Sequence, residues 1–188
     1  GGANTTRAID ASIYYDRPNL YDHIHRLQPN CTVWGDNGEA RWIGNERGVG
    51  WETQWSPNTG VSGFEGDENG WKWWPNESDA KATSGGWFWH SDEKPLTAER
   101  MYQMYLETVG RNATLILNMP PNQQGVLPEA TVNSCKQMGR YIKQRLTKNL
   151  ARGCRITTSD TRTGGTNAAS KKLYAAKHML DGKKDTYW

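Results

Sequence analysis

Long apolar runs are missing from this 188-residue sequence. None approaches the ~20 residues that a membrane-spanning helix needs, so a single-span anchor within these residues is excluded and a soluble chain with no membrane partner is expected. Cysteine is scarce. Cys31, Cys135 and Cys154 are odd in number and lack metal-ligand spacing, which excludes a complete disulfide framework. They are expected to be free, small and mostly buried, and neither a metal nor a cofactor is expected. Apolar residues make up only 35% of the chain and mean hydropathy is −0.88, which leaves little ordinary material for a core. Charge of one sign is also lacking, because the formal net charge is only +3. Basic residues do gather in the last third, at Lys136, Arg140, Lys143, Arg145, Lys148 and Arg152. Most of that run falls on the outer face of one predicted helix, so a solvated face is expected there and no nucleic-acid partner.

What the chain has instead is tryptophan. Nine of its ten lie between Thr32 and Trp89, mostly beside Gly, Pro or a charged residue. A core would space them at a helix or strand period. Flat indole faces interleaved with carboxylates and amides suit a sugar site: the C–H face of a pyranose stacks on the ring, and its hydroxyls take directional bonds from polar side chains. For any one tryptophan, pinning a long loop is the more ordinary role; it is the whole cluster that points to a carbohydrate site.

In chain order, Gly1-Gly2-Ala3-Asn4 reads as the loop after a strand. Leu20, Ile24 and Leu27 share one face of a short predicted helix ended by Pro29-Asn30. Residues 31–35 read as a buried strand stopped by Asp36-Asn37-Gly38. Helix, turn, strand and polar loop form the half-unit of an α/β barrel, whose catalytic groups lie beyond the strand C-termini. Periodicity then fails from Glu39 to Trp89, although Trp51–Trp55 and Gly86–His90 have strand character. Thr97 predicts a helix cap, with Met101, Met104, Tyr105 and Val109 on the buried face and Gly110 at the end. Ala113–Met119 is the clearest strand, apolar on both faces. Pro128 opens a long helix with Val132, Cys135, Gly139, Ile142 and Leu146 inside. After Gly153 the composition shifts to Thr, Ser and Gly, which predicts the start of a β-rich domain. Four glycosylation sequons begin at Asn4, Asn30, Asn76 and Asn112; the last abuts a predicted buried strand, which argues against modification there.

Several runs together resemble the α-L-fucosidases of glycoside hydrolase family 29. They are Gly2-Ala3-Asn4, Tyr21–Pro29, Arg41–Glu46 with Glu52-Thr53 and Trp55-Ser56, Trp74-Pro75 with Glu77-Ser78-Asp79, Gly86–His90, and Val109–Asn112 leading to Leu117–Pro121. Asp181-Gly182 with Asp185–Trp188 resembles the start of that family's C-terminal domain. The resemblance implies an α/β chain: the second half of a (β/α)8-like (TIM-type) barrel over residues 1–150, then a linker and the beginning of a β-sandwich over 151–188. It implies a retaining exo-glycosidase that removes terminal α-L-fucose, α-1,3/1,4-linked by the Gly-Asn-Glu and Trp-Phe-Trp-His runs, from a fucosylated oligosaccharide or glycoconjugate. Glu46 takes the place of the acid/base, with Trp42 and Trp51 expected to limit its solvation. The family's nucleophilic aspartate aligns with Gly1, so that carboxylate is either replaced or lies just upstream. Trp87 is implied beside fucose, Trp42 and Glu77 at the sugar that carries it, and Asp36 and His90 at the site or bracing it. The missing N-terminal half of the same barrel is implied as a partner, and a periplasmic or secreted location is expected. The competing expectation is a nucleophile-disabled relative that binds fucosides without cleaving them.

Overall fold

A computed structural model describes residues 16–35, 38–59, 64–161 and 174–186. The chain divides into two compact units, Gly1–Tyr141 and Ile142–Trp188.

The first unit is α/β. Helix α1 covers Arg17–Leu27, entered through Pro18 in its first turn. Two short strands follow, β1 at Arg41–Trp42 and β2 at Pro57–Asn58, then β3 at Lys72–Trp73 and β4 at Asn76–Lys81. Helix α2 is Ala98–Thr108, β5 is Thr114–Asn118, and α3 is Glu129–Leu146. Strands β1, β4 and β5 form a parallel sheet in that order, while β2 and β3 make a separate antiparallel ribbon. Parallel neighbours need a crossover, and α2 supplies the one between β4 and β5.

Local chemistry explains the elements. Thr97 Oγ1 accepts the Arg100 N–H at 3.2 Å, the expected cap of α2. The buried face of α2 is Met101, Tyr102, Met104 and Thr108, so Tyr105 and Val109 yield to Tyr102 and Thr108. On α3 only Thr131 is fully buried; Val132, Cys135 and Ile142 are half-buried, whereas Gly139 and Leu146 are exposed and correct the expected inner stripe. Lys136, Arg140, Lys143 and Arg145 are all exposed, as a solvated face requires. Asn76 is buried in β4, so that sequon is closed in this fold, whereas Asn112 is exposed and donates its amide to Gln54 O and Ser56 Oγ.

Three strand expectations change. The strand at 31–35 reduces to a single bridge, Trp34 to Ala40. Trp51–Trp55 is not a strand: the Gln54 amide folds back onto the carbonyls of Phe64 and Glu65, and the Trp51 indole donates to Ile43 O at 3.2 Å. Such side-chain bonds to backbone replace a ladder. Gly86–His90 is likewise irregular, with Asn118 Nδ2 donating to Trp87 O at 3.0 Å in place of a strand partner.

In the second unit the described residues contain no strand. A 3-10 helix spans Ala176–Leu180. Asp181 organises the turn after it, accepting from the Lys183 N–H and the Thr186 hydroxyl and facing the His178 ring, and these bonds hold its carboxyl down at about 2. Tyr187 and Trp188 lie outside the described residues.

Candidate active site

Because β1, β4 and β5 run parallel, their C-terminal ends meet at one edge of the sheet. The loop after β1 carries Glu46, the loop after β4 carries Trp87 and His90, and β5 ends on Asn118 before Pro120-Pro121. Register places Trp42 beside Glu77, Asp79 beside Ile116 and Lys81 beside Asn118. Strand alternation puts these six side chains on one face and Arg41, Asn76, Ser78 and Ala80, all buried, on the other.

Arg41 anchors the first loops. Its guanidinium donates to Trp74 O at 2.9 Å, Phe64 O at 2.7 Å and Trp55 O at 3.0 Å. Burial pushes its pKa down and the Glu65 carboxylate opposes that. The loop bearing Glu46 is then fixed at both ends. Gly44 sits under the Phe64 ring with φ +88, and a Cβ there would lie 2.6 Å from that ring. Gly48, at φ +66, lies between Met104 and Ala80, and its carbonyl accepts the buried Thr108 hydroxyl. Between them, Asn45 closes the turn, donating to Val49 O at 2.9 Å and accepting the Arg47 N–H at 3.1 Å.

The Glu46 side chain itself is exposed. The expected shelter from Trp42 and Trp51 does not form within this chain, because both indole N–H groups point elsewhere: Trp51 to Ile43 O, and Trp42 to Asp79 Oδ1 at 2.8 Å. Trp42 is 37% exposed, and Phe64 meets it edge-on with ring centroids 6.0 Å apart. Trp87 is half-buried, with Lys81 Nζ 5.9 Å from its ring centre; the same ammonium donates to Gly85 O at 2.7 Å. His90 is exposed. Glu77 is only 7% exposed, and its Oε2 has no hydrogen-bond partner among the described residues. Burial, and then the neighbouring Asp79 charge, push its pKa up, partly offset by a bond from Trp34. Gly1 and Asp36 lie outside the described residues. The arrangement therefore gathers Trp42, Glu77 and the loops of Glu46, Trp87 and His90 at one sheet edge. Sequence reasoning assigned no part to Asp79, Lys81, Asn118 or Arg41. Reading 76–81 as a strand would have put Asp79 and Lys81 beside Glu77 at once.

A family model described as alpha-L-fucosidase matches residues 18–146. The chain belongs to the α-L-fucosidase family. Alpha-L-fucosidase 1 of Arabidopsis thaliana is 31% identical over the whole of this chain, which spans 38% of that protein's length. A Ruminococcus gnavus family 29 fucosidase, solved in complex with fucose, is similar with a TM-score of 0.75 and 31% identity, over 97% of this chain and 40% of that one. A glycoside hydrolase family 29 member from a rumen bacterium reaches 35% identity and a TM-score of 0.74, over 85% of this chain and 31% of its own. As an α-L-fucosidase family chain, it accounts for roughly two fifths or less of each of these relatives. Among the described residues no helix is long and apolar enough to cross a membrane.

Proposed function

We propose that this chain is the second half of a (β/α)8-like barrel, followed over 151–188 by the start of a β-sandwich, in a periplasmic or secreted retaining enzyme that removes terminal α-L-fucose from fucosylated glycans. The observation that carries the reading is the shared edge of the parallel sheet, where the loops of Glu46, Trp87 and His90 emerge together beside Trp42. A retaining glycosidase needs two carboxyl groups about 5 Å apart across the glycosidic bond. Glu46 is the acid/base of that pair: it protonates the leaving oxygen, then takes a proton from the water that opens the fucosyl-enzyme. Its backbone is held by Gly44, Asn45 and Gly48, while its exposed side chain is open to substrate. Gly1 aligns with the family's nucleophilic aspartate but has no carboxylate, so in this reading the nucleophile is a carboxylate just upstream of it. Trp87 faces fucose, with His90 at the same mouth; Asp36 contacts or braces the substrate, and Trp42 with Glu77 takes the sugar that bears an α-1,3/1,4-linked fucose.

Glu46→Gln in the full-length protein tests this. Loss of general acid catalysis is expected to slow hydrolysis of a fucosylated oligosaccharide by about 10²- to 10⁴-fold. An aryl fucoside with an activated leaving group, which needs no proton to depart, should lose much less in its first step. Equal rates for wild type and variant on both substrates would reject Glu46 as the acid. The second reading, a fucoside-binding relative without turnover, is favoured by the glycine at the aligned nucleophile position. It predicts fucoside binding by the full-length protein with no hydrolysis.

A further inference from the structure

Asp79 stands two positions beyond Glu77, on the same side of the sheet. Its Oδ1 accepts the Trp42 indole N–H at 2.8 Å. Trp42 is thus held on two sides, by Asp79 at its N–H edge and by Phe64 meeting it edge-on at 6.0 Å and 75°. Phe64 is held in turn: its ring covers Gly44, and its carbonyl takes the Arg41 guanidinium at 2.7 Å. Trp42 nevertheless keeps 37% of its surface exposed. A partly exposed side chain held this firmly presents a fixed aromatic surface, and a fixed surface binds a ring with less ordering cost than a free one.

The acceptor is also a charged one, at some expense. The Asp79 charge disfavours ionisation of Glu77 next to it. A carboxylate accepts an N–H bond more strongly than a neutral group does, and that is the return for the repulsion.

We infer that Asp79 is a positioning residue that acts through Trp42: it sets the indole as the platform for the sugar carrying the fucose, and so sets the preference for fucosylated oligosaccharides over simple aryl fucosides. This rests on the function proposed above.

The test compares kcat/KM of the full-length protein on a fucosylated trisaccharide and on an aryl fucoside. Asp79→Ala should lower the trisaccharide-to-aryl ratio about tenfold, the size of one hydrogen bond to a charged acceptor, mainly through KM. Asp79→Asn, which keeps an acceptor oxygen, should recover the ratio to within about threefold of wild type. In a Trp42→Phe background, where no N–H remains to be held, Asp79→Ala should leave the ratio unchanged. An Asp79→Ala enzyme that slows both substrates equally, or neither, overturns the inference while leaving the fucosidase reading intact. So does an Asp79→Ala effect that persists in the Trp42→Phe background. A wild-type protein inactive on both substrates overturns the fucosidase reading and this inference with it.

Discussion

Replacing Thr108 with valine isolates what holds the Glu46 loop to the helix layer. Thr108 is fully buried, and its hydroxyl serves two carbonyls: Met104 O one turn back in α2, at 2.8 Å, and Gly48 O across in the loop. Valine has nearly the same volume and branching, so no cavity opens and the helix is little affected. Met104 O keeps its place in the helix ladder. Gly48 O is the group that loses its partner, since no backbone N–H of the described residues outside the regular elements donates to it. A buried carbonyl orphaned in this way costs about 1–3 kcal/mol. The cost should fall locally, because the next tie between loop and helix is two residues on, where the Gly50 N–H donates to Glu107 O at 2.7 Å. Arg111 Nη1 donates to the Gly50 carbonyl at 3.0 Å and completes that clasp.

The Gly50 amide is therefore the reporter. If the loop opens as a unit, Thr108→Val should speed its hydrogen exchange by about 5- to 150-fold, the factor that 1–3 kcal/mol represents. Thr108→Ser keeps the hydroxyl and should leave Gly50 exchange within about threefold of wild type, although the lost methyl costs about 0.8 kcal/mol globally. Exchange at Gly50 that is unchanged by valine, or changed equally by serine and valine, would refute the argument that the hydroxyl, rather than the packing, tethers this loop.

Two further predictions concern burial. The Glu77 carboxyl titrates above its ordinary value of 4.5, so the folded state holds a proton that the unfolded state has released, and stability falls as pH rises past that value. Glu77→Gln, uncharged at every pH, should match wild type in acid and gain on it in Tm as pH climbs above 4.5, and a Tm difference independent of pH would refute this. The Cys135 thiol is likewise pushed up by burial and packs against Met119 Sδ at 3.4 Å, whereas Cys154 is exposed. Timed alkylation read by mass spectrometry should mark Cys154 well before Cys135, and the reverse order would contradict the burial.

The helices were legible because their cues are local. Pro18, Thr97 and Pro128 mark starts, and spacing marks faces, so α1, α2 and α3 stand close to where the pattern puts them. Strand β5 shows itself as an apolar run. Strand β4 does not, and the reason is physical. Its sequence, Asn-Glu-Ser-Asp-Ala-Lys, reads as a loop to any scale of hydropathy, yet four of its six residues are buried, and three of those four are the polar Asn76, Glu77 and Ser78. These are buried by position in the sheet, and the partners they do find lie far off in sequence, such as Trp55 O for the Asn76 amide N–H and Asn45 O for the Ser78 hydroxyl. No window of a dozen residues contains that information. Which indole of the tryptophan cluster faces what was not legible either, since Trp42 finds its acceptor 37 residues away.

The same strand shows why a polar sequence is tolerable there. A buried strand with two apolar faces is stabilised by both, whereas β4 has Asn76, Ser78 and Ala80 on one side and Glu77, Asp79 and Lys81 on the other. The second set is costly to bury and contributes no apolar area. Its partners show what is obtained in return: Asp79 holds the Trp42 indole, and Lys81 spans from Gly85 O to the Trp87 ring. Both charged side chains therefore act on the tryptophans flanking the sheet edge. The Glu77 Oε2 alone on that face is buried without a partner among the described residues. A buried oxygen left in that condition gains most from an added donor, and a sugar hydroxyl is such a donor. The strand thus serves less as a piece of core than as the rail on which the aromatic faces and the buried Glu77 oxygen are set.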